Sequence, residues 1–150
     1  MIALRWLPAA AALLGAGAAL SPVIVLEVRN DARGTVSRIA LREGEPFSIT
    51  SHHSIYEQPV TEELAVGPDL RIALRAVSSP SAAVREYFGL TGAGERQPVE
   101  RSMDEVVFRV ATGTPQRLRA GAVERSFLEF GDHGDRLVLR ARRRPAAVRW

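Results

Sequence analysis

Along most of this chain apolar and polar residues alternate one for one. From Val23 to Arg29, Ile24, Leu26 and Val28 lie opposite Glu27 and Arg29, and in Val36 to Arg42 the inward positions are Ile39 and Leu41. Phe47, Ile49, Ser51, His53 and Ile55 alternate with Ser48, Thr50, His52 and Ser54, and Val60, Glu62, Leu64 and Val66 alternate with Thr61, Glu63 and Ala65. The same rhythm returns in Leu70-Ile72-Leu74, Val106-Phe108-Val110 and Leu137-Leu139. A period of two is a strand with one apolar face. Gln116 to Arg119 reads as a short edge strand, and Phe127 to Phe130, apolar on both sides of Glu129, as a strand running into a hairpin turn at Gly131–Gly134. Turn clusters punctuate the pattern at Asn30–Gly34, Glu43–Pro46, Gly67–Asp69, Thr112–Pro115 and Gly131–Gly134. Short strands with frequent turns predict an all-β antiparallel fold of about eight strands, a sandwich or a partly closed barrel.

The rhythm lapses in three places. Residues 1–21 begin with Arg5 and continue as an uncharged, Ala/Leu/Gly-rich run, with small residues at Ala16-Gly17-Ala18 and Gly17-Ala18-Ala19. This is the pattern of a secretory leader. A membrane anchor is the competing reading, because the uncharged run approaches the roughly 20 residues of a spanning helix. Either way the folded domain is expected over residues 22–142. Between Ser78 and Met103 alternation is lost. Ser79-Pro80-Ser81 is expected to open a short helix, with Pro80 at its first position and Val84 and Phe88 on one side. Gly89 to Gly94 follows as a tight loop. A phosphate cradle there would need a P-loop lysine, and the chain has none. Residues 143–150 form a basic tail.

Composition narrows the picture slightly. All 20 basic residues are arginines and the net charge is +3, too small to argue for nucleic acid. With no cysteine there are neither disulfides nor thiolate metal sites. The six arginines from Arg136 to Arg149, with Trp150, offer contact with anionic lipid, a solvated terminus being the plainer reading.

Candidate chemistry centres on the two middle strands. A regular hairpin with the loop Tyr56-Glu57-Gln58-Pro59 pairs Ile55 with Val60, and therefore His53 with Glu62, at a Cβ separation of about 4.5–5.5 Å. A one-residue slip would send one partner to the other face. The pair reads as a buried polar couple satisfying itself, or as a site in which the carboxylate orients the imidazole. A metal centre would have to recruit from His52, Glu57, Glu63 and His133. The first and third face away from His53 and the last lies in a distant turn, so no metal is expected. Ser54 points opposite to His53 on the strand, which excludes a Ser-His-acid triad. No cofactor motif occurs.

The residues His53-Ser54-Ile55, Pro59-Val60 and Glu62 resemble the His-Ser-Val, Pro-Val, Glu signature of domain-of-unknown-function family eighteen-fifty. Gly92-Ala93-Gly94 resembles that family's Gly-Ala-Gly, although the family continues Leu-Pro where this chain has Glu95-Arg96 and delays its proline to Pro98. The family comprises small bacterial proteins often encoded beside TRAP-type transporters of the TAXI subclass. The resemblance implies a periplasmic protein, free or anchored to the inner membrane. It also implies transporter membrane subunits, a solute-binding protein or the solute as partners. Two other expectations stand beside it. One is a small hydrolase or isomerase using His53 with Glu62, and the other a barrel carrying an apolar ligand.

Overall fold

Two antiparallel sheets, one of four strands and one of six, enclose the apolar faces that the alternation defines. The structure is a computed structural model that describes residues 22–145. In chain order the first strands are β1 (Pro22–Asn30), β2 (Thr35–Leu41), β3 (Pro46–His52), β4 (Pro59–Val66) and β5 (Ile72–Ser78). A short helix α1 (Ala82–Tyr87) precedes β6 (Arg96–Met103), β7 (Val106–Arg109), β8 (Arg117–Ala120), β9 (Val123–Ser126) and β10 (Arg136–Pro145). The sheets have the orders β2-β1-β10-β7 and β6-β5-β4-β3-β8-β9. Neither closes on itself, so the architecture is a sandwich and not a barrel.

The core follows from the period-two faces. Leu26, Leu137 and Leu139 from the smaller sheet meet Ile49, Leu64, Ile72 and Leu118 from the larger, all essentially closed to solvent. Each such side chain contributes roughly 1.5–3 kcal/mol on burial. Asn30, at the end of β1, locks one end of the smaller sheet. Its amide donates to the Phe130 carbonyl (3.0 Å) and to Asp135 (2.7 Å), while its Oδ1 accepts from the backbone of Ala32 and Arg33. A Cβ at Gly131 would lie 2.5 Å from the Asn30 amide nitrogen, which is why that position has no side chain.

Five expectations need correction. Phe127–Glu129 is a 3-10 turn closed by a Ser126/Glu129 capping box, not a strand; the capping residues outcompete a ladder there. Leu70 lies outside β5 with φ +65°, in the turn that follows Asp69. Ser81, not Ser79, caps α1, so Pro80 lies just before the cap and not inside the helix. The edge strand β6 lies where alternation lapses. Its polar residues are held by pairing with β5, with a register break between Leu74 and Ala76. The basic tail is also shorter than expected at its inner end. Arg143, Arg144 and Pro145 pair with Ile24, Val23 and Pro22 as the end of β10. The leader, residues 1–21, and Arg149 and Trp150 lie outside the described residues. Among the described residues no helix is long and apolar enough to cross a membrane.

Candidate functional site

The β3–β4 hairpin closes with a different register from the regular one. Ser51 pairs with Val60 and His52 with Pro59, which places Ile49 opposite Glu62. His53 faces Gln58, donating its N–H to that carbonyl at 2.9 Å, and its own carbonyl accepts from Glu57 at 2.8 Å. The loop is therefore His53–Gln58, six residues long, with Glu57 at φ +50°. Two local causes are evident. Pro59 has no N–H to extend the ladder. The His53 imidazole accepts the Ile55 N–H at Nδ1 (3.3 Å), folding the next residues into a turn. This Nδ1 acceptor role puts the proton of the neutral ring on Nε2.

His53 and Glu62 are consequently not partners. Glu62 does share the inward face with Val60 and Leu64, but it lies four positions along the ladder from the level of His53, roughly 13 Å at strand rise. Its side chain is half-buried, and its carboxyl has no hydrogen-bond partner among the described residues. Burial pushes its pKa up, and the charge of Arg101 only partly opposes that. Glu63, on the other face, is bound at both oxygens by Arg96 (2.8 and 2.7 Å), which holds it below the ordinary carboxylate range. A hydrolase or isomerase built on His53 with Glu62 needs the two within hydrogen-bond reach. This register holds them apart.

His53 instead enters an aromatic cluster. Its ring centroid lies 4.4 Å from Tyr87 in an edge-on arrangement, 5.1 Å from Tyr56 and 6.4 Å from Phe88. Aromatic pairs of this kind contribute about 0.5–1.5 kcal/mol each beyond their buried area. The imidazole is buried, while its neighbours turn outward: Ile55 is 66% exposed, Tyr87 61% and Tyr56 41%. Ile55, expected to face inward, is the most exposed large apolar residue of the described chain. Ser54 and Pro59 are exposed and Val60 is core.

The segment from Ser79 to Glu95 supplies the second half of this tip. Buried Ser79 donates its hydroxyl to the Pro59 carbonyl (2.8 Å) and receives Arg85 on its own carbonyl (2.7 Å), tying α1 to the hairpin. Val84 is fully buried and draws the helix onto the core. The glycine loop is built around Gln97. The buried Gln97 amide donates to the carbonyls of Ala93 (2.7 Å) and Gly94 (2.8 Å), and a Cβ at Gly92 would collide with its oxygen at 2.0 Å. Carbonyls, not N–H groups, converge there, so Gly92-Ala93-Gly94 packs on a glutamine and does not cradle an anion.

The remaining candidates are dispersed. His52 is half-buried with Nδ1 closed off and unpartnered, and His133 is exposed in the turn before β10. Among the described residues no group of three His, Asp or Glu side chains is placed to hold a metal. Clefts of about 490 Å³ beside Thr112–Gln116 and about 480 Å³ between the edges of β2 and β9 are lined by neither His53, Glu62 nor the glycine loop. Sequence reasoning missed Tyr56, Tyr87, Ser79 and Gln97. Only Tyr87, one turn from Val84 on the expected helix, left a readable signal. In comparisons with protein families, curated proteins and solved structures, no match to this chain was found.

Proposed function

We propose that this chain is a non-enzymatic accessory protein acting outside the cytoplasm, and that the hairpin–helix tip is its docking surface. The observation that carries the reading is the exposure of Ile55, Tyr56 and Tyr87 around a buried, neighbour-locked His53. Exposed aromatic and aliphatic side chains on a rigid base are what binding surfaces are made of, because aromatics bury large area at small entropic cost. The resemblance of His53-Ser54-Ile55, Pro59-Val60 and Glu62 to family eighteen-fifty points to a TAXI-type TRAP transporter as the setting. A membrane subunit or the solute-binding protein is the partner. The leader over residues 1–21 supports a periplasmic location, free or tethered at the N-terminus.

Capture from solubilised membranes tests the docking. The tagged full chain is expected to retain transporter subunits, and the Ile55→Asp variant to lose them while melting at nearly the same temperature, since Ile55 is exposed. Equal capture by both proteins would overturn the tip as the docking surface. Fusing residues 1–30 to a reporter active only after export tests the location, and a reporter active only in the cytoplasm would refute it.

A further inference from the structure

The outward face of the four-stranded sheet carries an unusual charge. On β10, Arg136, Arg140, Arg142 and Arg144 all point away from the core, because the intervening Leu137, Leu139 and Ala141 belong to it. Arg29 and Arg38 on the neighbouring strands and Arg109 on β7 share that face through the strand register. Among the described residues, three carboxylates pair with these arginines, and each is shared by two of them. Glu27 lies between Arg38 and Arg144, Glu105 between Arg140 and Arg136, and Asp31 between Arg136 and Arg29. Arg142 makes no hydrogen bond or ion pair among the described residues, and Arg109 donates only to the neutral carbonyl of Gly134. Over all described residues, by contrast, eighteen arginines nearly balance seventeen acids. The excess positive charge is gathered on this one face.

The apolar component of the face is equally specific. Val25 and Val138 are closed to solvent although they lie outside the core cluster. Across the strands they are flanked by Arg142 and Arg29, whose long stems cover apolar surface while the guanidinium reaches outward. Val36 and Val107 lie bare on the same face. Pro22 and Pro145 pair with each other at one end of the sheet.

We propose that this sheet face lies against an anionic phospholipid bilayer, with the arginines at the phosphate headgroups and the valines beneath them. Guanidinium groups bind phosphate bidentately. Each basic residue held near an anionic surface contributes roughly a fivefold gain in affinity. The surface is separate from the hairpin tip and stands whether or not the tip docks on a transporter.

The absence of cysteine allows a direct test. An environment-sensitive fluorophore is placed on the full chain at Ala40→Cys, exposed on the arginine face, or at Ser102→Cys, exposed on the outer face of the other sheet. Phosphatidylglycerol-containing vesicles are compared with pure phosphatidylcholine vesicles, which sets aside any insertion of the leader, since that occurs in both. Expected are a blue shift at position 40 with phosphatidylglycerol vesicles only, and none at position 102. Salt should abolish it, because screening weakens exposed charges. Adding Arg109→Gln and Arg142→Gln, neither of which breaks an ion pair, should weaken binding by roughly thirtyfold in a protein whose circular dichroism spectrum is unchanged. Equal shifts at the two positions, equal shifts with neutral vesicles, or unweakened binding by the double variant would each overturn the proposal.

Discussion

The two sheets of this sandwich are organised on different principles. In the four-stranded sheet, β1 pairs with β10 over nine consecutive positions and with β2 over seven without a break, and nearly every inward residue is aliphatic. In the six-stranded sheet the ladders slip between Glu63 and Leu64 and between Leu74 and Ala76, and a carboxyl faces inward at Glu62. A helix, a glycine loop and a six-residue hairpin loop are all inserted there. Regular pairing makes a surface, here a charged one. Broken pairing makes a tip, because bulges and long loops re-aim side chains that a regular ladder would hide.

That contrast can be broken most severely from the regular side. Ending the chain after Arg140 removes the segment of β10 that pairs with Pro22 to Leu26 and leaves the edge of β1 without its partner. Stability should fall by about 3 kcal/mol or more, from lost ladder bonds at roughly 1 kcal/mol each together with Ala141 burial. A thermal melt that superimposes on the full chain would show the sheet to be less dependent on its last strand than its pairing implies.

In the irregular sheet, Gln97→Ala should cost about 1–3 kcal/mol, because the carbonyls of Ala93 and Gly94 lose their buried donor. Hydrogen exchange should rise in residues 89–97 and remain unchanged in β1 and β10. Uniform loss of protection would show that the two sheets are not separable in this way.

Glu62→Gln should act in the opposite direction. The carboxyl is held above its ordinary pKa in the fold, so the folded state favours its protonated form. Stability from this group is present in acid and declines as pH rises through the unfolded and then the folded pKa. At neutral pH the substitution should therefore stabilise, by about 1 kcal/mol, and the gain should disappear below the ordinary carboxylate range. A gain independent of pH would assign the effect to packing. The smallest expected effect is a coupling. His53→Ala and Glu62→Ala should be additive to within about 0.5 kcal/mol, since residues this far apart without shared partners act independently. Strong non-additivity in a double-mutant cycle would restore the pairing that the register denies.

The regular sheet was the legible one. Ile24, Leu26 and Val28 and their counterparts on β2 and β10 announce an inward face by alternation alone, and the sandwich class follows from them. Glu62 lies opposite Ile49 on the face of β4 that alternation marks, and His53 is buried. Their pairing was not legible, because hairpin register depends on loop length, and the loop is set by an imidazole accepting a backbone N–H, an interaction that leaves no periodicity. Strand β6 was invisible for a related reason. Arg96, Pro98, Glu100 and Arg101 are exposed at a sheet edge, where a strand needs no apolar rhythm to pair. Gln97 carries the glycine loop by its amide alone, a tertiary contact that composition cannot reveal.

The pairing of Pro22 with Pro145 has a mechanical consequence. Strand β1 is the element through which any pull applied at residue 22 enters the domain, and it is clamped on both sides, by β2 and by β10. Ladder bonds run perpendicular to the strand, so traction along its axis loads the hydrogen bonds of both ladders together instead of opening them one after another. A domain hung from this end resists drag in shear. The same force applied at the tip of the β3–β4 hairpin would meet a peelable loop.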